Sequence, residues 1–245
     1  MPALGLGIFA AAVLATLIVF APATLIDARL ASASDGRLRL AGADGTLWSG
    51  AGWIEVRDVH GRAGVARRIA WRVLPESLLR ARLVAEIELD QAKPFRVAIS
   101  LSRVEIADAG INLPAAALGL GMPKLAPLRL TGEVRVSIPH LSLERGRMDG
   151  AATLQWRSAG SALTPISPLG EYEMDFKAVG PELHATLRTL EGPLQLDGKG
   201  TFSSRGPPSF LATARVPEQQ QEQLAPLFRL IAVERGVGTF ELRLN

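Results

Sequence analysis

A chain of 245 residues without a single cysteine can hold no disulfide, no thiolate metal site and no cysteine nucleophile. Its pI of about 9.8 accompanies a net charge of only +3, because 23 Arg stand against 4 Lys. The arginines are scattered, with Arg67-Arg68 the only adjacent pair, so the clustered cations of a nucleic-acid footprint are missing and no nucleic-acid partner is expected.

In chain order, the first feature is the 24-residue stretch Ala3 to Ile26, which carries no charge. A helix rises about 1.5 Å per residue and needs roughly 20 apolar residues to cross a bilayer core. Residues 1–26 are therefore predicted to be a transmembrane anchor, with residues 3–26 in the membrane. A cleaved signal peptide is the rival: Ala21-Pro22-Ala23 has the small side chains of a cleavage site. Against it, no Lys or Arg precedes the apolar run, and the run is longer than a signal core. Arg29, Arg37 and Arg39 follow the span and pull toward a cytoplasmic side, although long domains translocate largely regardless of such charges. Residues 27–36 read as a linker.

From Arg37 onward the period is two. Leu83, Ala85, Ile87 and Leu89 interleave with Val84, Glu86 and Glu88; Phe95, Val97, Ile99 and Leu101 with Arg96, Ala98 and Ser100; Val134, Val136 and Ile138 with Glu133 and Arg135; Leu183, Ala185 and Leu187 with His184, Thr186 and Arg188. Such alternation marks strands buried on one face, and Gly or Pro falls at turn spacing between them. The predicted fold is all-β: a curved, mainly antiparallel sheet with two short helices, near 113–120 and 218–231. In the second, Leu224, Leu227, Phe228 and Ile231 make an apolar stripe, and Pro226 inside it predicts a kink or a late start.

An internal duplication is expected from spacing. Gly61-Arg62 precedes Trp71-Arg72 by ten residues, and Gly146-Arg147 precedes Trp156-Arg157 by ten. Each predicted helix leads to a glycine and an alternating strand, at Gly132 and at Gly238. The register between halves is 85 residues early and 106 late. Stacked units of this kind form one long sheet, with a first β-rich half at 37–138 and a second at 139–245.

The most distinctive short string is Gly45-Thr46-Leu47-Trp48-Ser49-Gly50, entered through Asp44. Asp-Gly favours a turn, Leu47 and Trp48 offer large surfaces to bury, and Gly50 admits a close backbone. With Trp71 and Trp156 it forms the candidate site, read first as a structural corner with a core Trp and second as a docking corner near the membrane. No catalytic, cofactor-binding or metal-binding residue is assigned, and the chain is read as no enzyme. Ser49 lacks a nucleophile elbow. Gly192 to Gly200 has phosphate-loop glycines at the wrong spacing and Gly200 where a Ser or Thr is needed, so it reads as a strand pair with a glycine bulge. Gly5, Gly7 and Ala10 match a loose dinucleotide pattern inside the apolar stretch. His60, His140 and His184 form no ligand cluster, and Glu86, Glu88 and Asp90 read as a solubilising stripe.

The order of these features resembles one family, the bacterial type II secretion system protein N. The resemblance rests on the N-terminal anchor, Gly45-Thr46-Leu47-Trp48-Ser49-Gly50, Trp71-Arg72-Val73-Leu74-Pro75 with Leu78-Leu79, then Trp156, Pro168-Leu169-Gly170-Glu171-Tyr172 and Gly192-Pro193-Leu194-Gln195-Leu196-Asp197-Gly198. It implies an accessory, non-enzymatic component of the exporter of Gram-negative bacteria, single-pass in the inner membrane with a periplasmic C-terminal domain. The implied partners are the inner-membrane platform proteins and the outer-membrane secretin. A second likeness is architectural: anchored proteins whose repeated β units form an apolar trough carry lipid between membranes. Lipid binding or transfer is thus the alternative function.

Overall fold

The computed structural model describes residues 16, 19–58, 61, 63–203, 209–236 and 239–244. They form two compact units, residues 1–94 and 95–245. Every strand pair within either unit is antiparallel, and the all-β expectation holds. This division follows compactness, whereas the expected one at 138/139 follows repetition.

The first unit begins with helix α1 (Thr24–Ala33) and continues through β1 (Leu38–Gly45), β2 (Ser49–Arg57), β3 (Ala63–Leu74), a 3₁₀ turn at Pro75–Arg80 and β4 (Leu83–Leu89), with the four strands in sequence order. Register places Leu40 opposite Ile54, Gly52 opposite Ile69, and Trp71 between Gly50 and Ile87. That row is the apolar face; Ala23, Leu40 and Trp71 are its buried centre, with Ile26 and Leu30 of α1 packed on them. The opposite face pairs Arg39 with Glu55 and Arg72 with Glu86. Period-two patterning thus produces one wet and one packed face.

Residues 27–36 are not a simple linker, since α1 runs through them to Ala33. Asp27 accepts from Arg39 Nε (2.8 Å), Arg39 Nη2 (2.7 Å) and the Leu40 amide (2.8 Å), and the Ser34 hydroxyl accepts from the Leu38 amide (2.9 Å). Two amides of β1 are therefore satisfied by the helix, and that edge is covered. No helix among the described residues is long and apolar enough to cross a membrane. The stretch 3–26 lies largely outside the described residues, and its end is already part of the folded unit: Ala21 and Ala23 are buried.

The second unit comprises β5 (Phe95–Ile99), β6 (Arg103–Pro114), α2 (Ala116–Gly121), a 3₁₀ turn at Pro123–Leu128, β7 (Leu130–Glu144), β8 (Arg147–Ser161), β9 (Gly170–Gly180), β10 (Glu182–Glu191), β11 (Gln195–Ser203), β12 (Ser209–Arg215), α3 (Gln221–Ile231), β13 (Ala232–Gly236) and β14 (Thr239–Leu244). Its strand order is β5 to β12 in sequence, then β14 and β13. The helix expected at 113–120 starts at Ala116, because Leu113 and Pro114 still pair with Val134 and Glu133. The helix expected at 218–231 opens as a 3₁₀ turn and becomes α-helical at Gln221 with Pro226 inside.

Its main core lies beneath α3. Leu224, Leu227 and Phe228 of the predicted stripe pack with Leu128, Leu169, Leu194, Ala214 and Val216, and Phe228 stacks on Phe240 with ring centroids 4.0 Å apart. A second cluster, Ala185, Phe210 and Ala212, lies among half-buried Met174, Phe176, Leu187 and Phe202. Strict alternation fails in β5, where Ala98 is buried and Ile99 exposed. Leu101, expected to extend that strand, stands fully in solvent at the β5–β6 tip. Pro139, which has no amide to donate, sits where the β7–β8 register shifts between Ser137 and His140.

Candidate functional site

The string Gly45 to Gly50 is the corner between β1 and β2. The Thr46 amide donates to the Ser49 carbonyl (2.9 Å), while the Thr46 hydroxyl accepts from the amides of Trp48 and Ser49 (3.2 Å each). Asp44 Oδ1 accepts from the Gly45 amide at 2.8 Å. Gly45 has φ +94°, and a side chain there would meet the Ser49 carbonyl oxygen at 2.5 Å. A side chain at Gly50 would overlap the Asp44 carbonyl and lie 2.5 Å from the Trp71 indole.

Two further segments converge on the corner. The N-terminal segment pairs with it through the Pro22–Thr46 bridge, with Leu47 N–H donating to Ala21 (2.8 Å) and Ala23 N–H donating to Gly45 (3.3 Å). The end of β3 is held by Val73 N–H donating to the Trp48 carbonyl at 2.7 Å. Finally, Trp71 Nε1–H donates to the Thr46 carbonyl at 3.2 Å. The core tryptophan of the corner is Trp71, 8% exposed; Leu47 and Trp48, expected to supply that burial, are only half-buried. Trp71 fills the space instead because Gly50, directly opposite it, leaves room for the indole.

Trp156 belongs to the second unit and has a corner of its own. Its Nε1–H donates to the Thr131 carbonyl at 2.9 Å, and its ring lies 5.7 Å from that of Tyr172 at 50°. Tyr172 is buried and donates its hydroxyl to the Leu194 carbonyl at 2.9 Å; burial pushes its pKa up. The candidate residues thus occupy two separate corners. Gly45 to Gly50 and Trp71 share the first, and Trp156 is in the second.

Charged groups are engaged in cross-links. Hydrogen bonds from the Arg39 guanidinium, then from the Leu40 amide, hold Asp27 down to about 2. In the second unit Glu173 accepts from Gln155 Nε2 (2.8 Å) and Arg188 Nε (3.0 Å), with Arg188 Nη2 closer still; these bonds lower its pKa, and those from Arg188 raise the pKa of the guanidinium. Sequence reasoning missed both groups, since they depend on which residues face each other across strands.

The remaining candidates resolve simply. His184 contacts Glu182 (3.5 Å) and Thr201 (3.3 Å) on an exposed face, and His60 lies outside the described residues. Gly5, Gly7 and Ala10 also lie outside them. Gly192 to Gly200 spans the β10–β11 turn and most of β11. From Gly198 onward β11 pairs with β10, and from Gln195 with β12, without a register shift; the irregularity beside this turn is in β10, where the pairing with β9 shifts between Thr189 and Glu191. The glycines of β11 make room for Phe210, whose ring would lie 2.5 Å from a side chain at Gly200. Among the described residues no three His, Asp or Glu side chains group as metal ligands.

The described residues thus form an antiparallel β protein whose distinctive tryptophans and glycines lock corners of its sheet. A family model for type II secretion system (T2SS), protein N, matches residues 36–243, and the chain belongs to that family. Membership gives it an accessory role in type II protein secretion and associates it with the cell envelope. No curated protein and no solved structure matches the chain.

Proposed function

We propose that this chain is a non-enzymatic component held in the inner membrane by the part of its uncharged stretch that precedes Ala21, with its β-rich part in the periplasm, where it meets the platform proteins and the secretin; residues 21–26, expected as the end of the anchor, belong to the folded unit. The observation that carries the anchoring is the first corner. Ala21-Pro22-Ala23, the alternative cleavage site, is built into the β1–β2 corner, with Ala23 1% exposed and both alanines hydrogen-bonded. Cleavage there would remove the Leu47 acceptor and expose a packed segment. The Gly45 to Gly50 string and Trp71 then serve as the mount joining anchor to sheet.

Fusion of a periplasm-dependent phosphatase after Leu244 is expected to be active, and a cytoplasm-only reporter at the same place silent. The reverse pattern defeats the topology. Affinity capture of the full chain from envelope extracts is expected to recover platform protein or secretin.

Lipid handling is the second reading. Met174, Phe176, Leu187 and Phe202 remain half-buried around Ala185 and Phe210, an apolar stretch suited to an acyl chain, which gains about 0.8 kcal/mol per buried CH₂. Mass spectrometry of the purified full chain decides: stoichiometric lipid without a secretion partner favours the carrier.

We further read the two tryptophan corners as products of one duplication. Thr46 and Trp71, like Thr131 and Trp156, lie 25 residues apart and share the indole-to-carbonyl bond. Gly61 and Gly146 have φ of +77° and +80°. Ile87 and Tyr172, opposite the two tryptophans, are again 85 residues apart.

A further inference from the structure

The 3₁₀ turn at Pro75–Arg80 has a fixed shape and an unusual surface. Pro75 opens it, and the Ser77 hydroxyl closes it by donating to the Leu74 carbonyl (2.6 Å) and accepting from the Val84 amide (3.0 Å). Ala81, in the left-handed region at φ +53°, donates to the Leu78 carbonyl, and the Arg82 amide donates to the Ser77 carbonyl. A turn bonded in this way sets where its side chains point, and it leaves Leu79 91% and Leu78 42% exposed.

This turn lies at the same end of the first unit as the incoming N-terminal segment. It follows directly on β3, whose Val73 is bonded to Trp48, and the adjoining Leu47 is bonded to Ala21. Val19 and Phe20, the last residues before that contact, are exposed, Phe20 at 71%, and Leu25 of α1 is exposed as well. Single exposed leucines are ordinary. Here several large apolar side chains share one end of one unit, where the uncharged sequence stretch enters. The turn's charges are Glu76, Arg80 and, just beyond, Arg82; Arg29 lies on α1, where Asp27 is bonded to Arg39, and Asp44 lies on the corner. Exposed leucines followed in sequence by Arg80 suit a segment resting in a bilayer interface, with apolar tips among acyl chains and a cation near phosphate level.

We propose that Pro75–Arg80 is a second membrane contact: it seats Leu78 and Leu79 in the bilayer surface beside the anchor, against phospholipid with anionic headgroups. Anchor and turn together make two points of attachment and fix the tilt of the first unit on the membrane. The inference rests on the anchoring reading above.

The chain has no cysteine, so a single introduced thiol is labelled uniquely. Full chain carrying Leu79→Cys, Phe20→Cys or Leu101→Cys, each tagged with an environment-sensitive dye, is placed in nanodiscs of phosphatidylethanolamine and phosphatidylglycerol. Quenching by spin-labelled lipid is then read. All three residues are exposed, so the substitutions spare the core. Positions 20 and 79 are expected to quench several-fold more than position 101. Quenching at 20 without quenching at 79 overturns the inference and leaves the anchor standing. Equal quenching at all three overturns it too, because contact is then not particular to this turn. Failure at 20 as well as 79 defeats the anchoring reading and the inference with it.

Discussion

The two tryptophan corners use the same bond in different surroundings. In the first unit the indole of Trp71 lies over Gly50, is almost fully buried, and helps hold a corner that the N-terminal segment completes. In the second, Trp156 stands opposite Val134 and Tyr172 and is only half-buried; Val134 is 1% exposed and Tyr172 supplies a second buried ring. Both indoles reach a threonine carbonyl 25 residues earlier. A bond set by strand register tolerates a change in what fills the space around it. In the first corner a glycine makes room for one large ring. In the second, a valine and a tyrosine share the volume and the indole moves outward.

The sharpest way to break that contrast is to deny the first corner its space. Gly50→Ala puts a methyl group against the Asp44 backbone carbonyl and the Trp71 ring, neither of which is the free end of a flexible chain. The expected loss is about 4 kcal/mol, at the upper end for single substitutions, read as a fall in the urea midpoint of the full chain in detergent. Val134→Ala removes two buried methyl groups and is expected to cost about 2 kcal/mol. A smaller effect at Gly50 than at Val134 would show that the two corners do not fill space in the way described.

The next comparison is electrostatic. The first unit ties its helix to β1 through Asp27, whereas the second ties strand to strand through Glu173, and both carboxylates have lowered pKa values. A folded value of about 2 lies below the ordinary aspartate value near 4. The contribution of Asp27 is therefore complete above about pH 4 and lost as pH falls toward 2. Asp27→Asn is expected to cost about 1 kcal/mol at neutral pH, since the pair is partly exposed and screened. It also flattens the acid limb of stability between about pH 4 and pH 2. An acid limb as steep as that of the unmodified protein would remove Asp27 from the account.

How far these corners can be read from sequence follows from the same residues. Period two gave the antiparallel strands, and the stripe Leu224, Leu227, Phe228 gave α3, because both patterns depend only on neighbours along the chain. The 85-residue spacing of Trp71 and Trp156 was visible for the same reason. Their acceptors were not, since finding Thr46 and Thr131 requires the strand register and its shifts. Trp48 and Trp71 are both candidates for burial on sequence alone, and nothing local separates them. What decides burial is Gly50 across the strand pair. Helix α1 escaped notice because its first residues belong to the uncharged stretch read as an anchor, and its packed side chains Ile26 and Leu30 are too few to mark a stripe on their own.

The finest comparison removes the shared bond together with the part of the indole that a phenyl ring does not replace. Trp71→Phe and Trp156→Phe each keep an aromatic ring and delete the indole N–H, so each leaves one threonine carbonyl without its donor. A hydrogen bond of this kind contributes about 1 kcal/mol, and more is lost when the abandoned partner is shielded from water. Thr131 is exposed, so water replaces the donor and the second corner is expected to lose less than about 0.5 kcal/mol. Thr46 is half-buried under the N-terminal segment and the Trp71 indole is buried, so the first is expected to lose about 1 kcal/mol for the bond and about 1–2 kcal/mol more for the lost ring volume. Exchange of the Leu47 amide, which bonds Ala21 across the same corner, is expected to speed up in Trp71→Phe and stay unchanged in Trp156→Phe. Equal losses, or faster Leu47 exchange in the Trp156 variant, would mean that burial does not separate the two corners. Their difference would then lie in the rings alone.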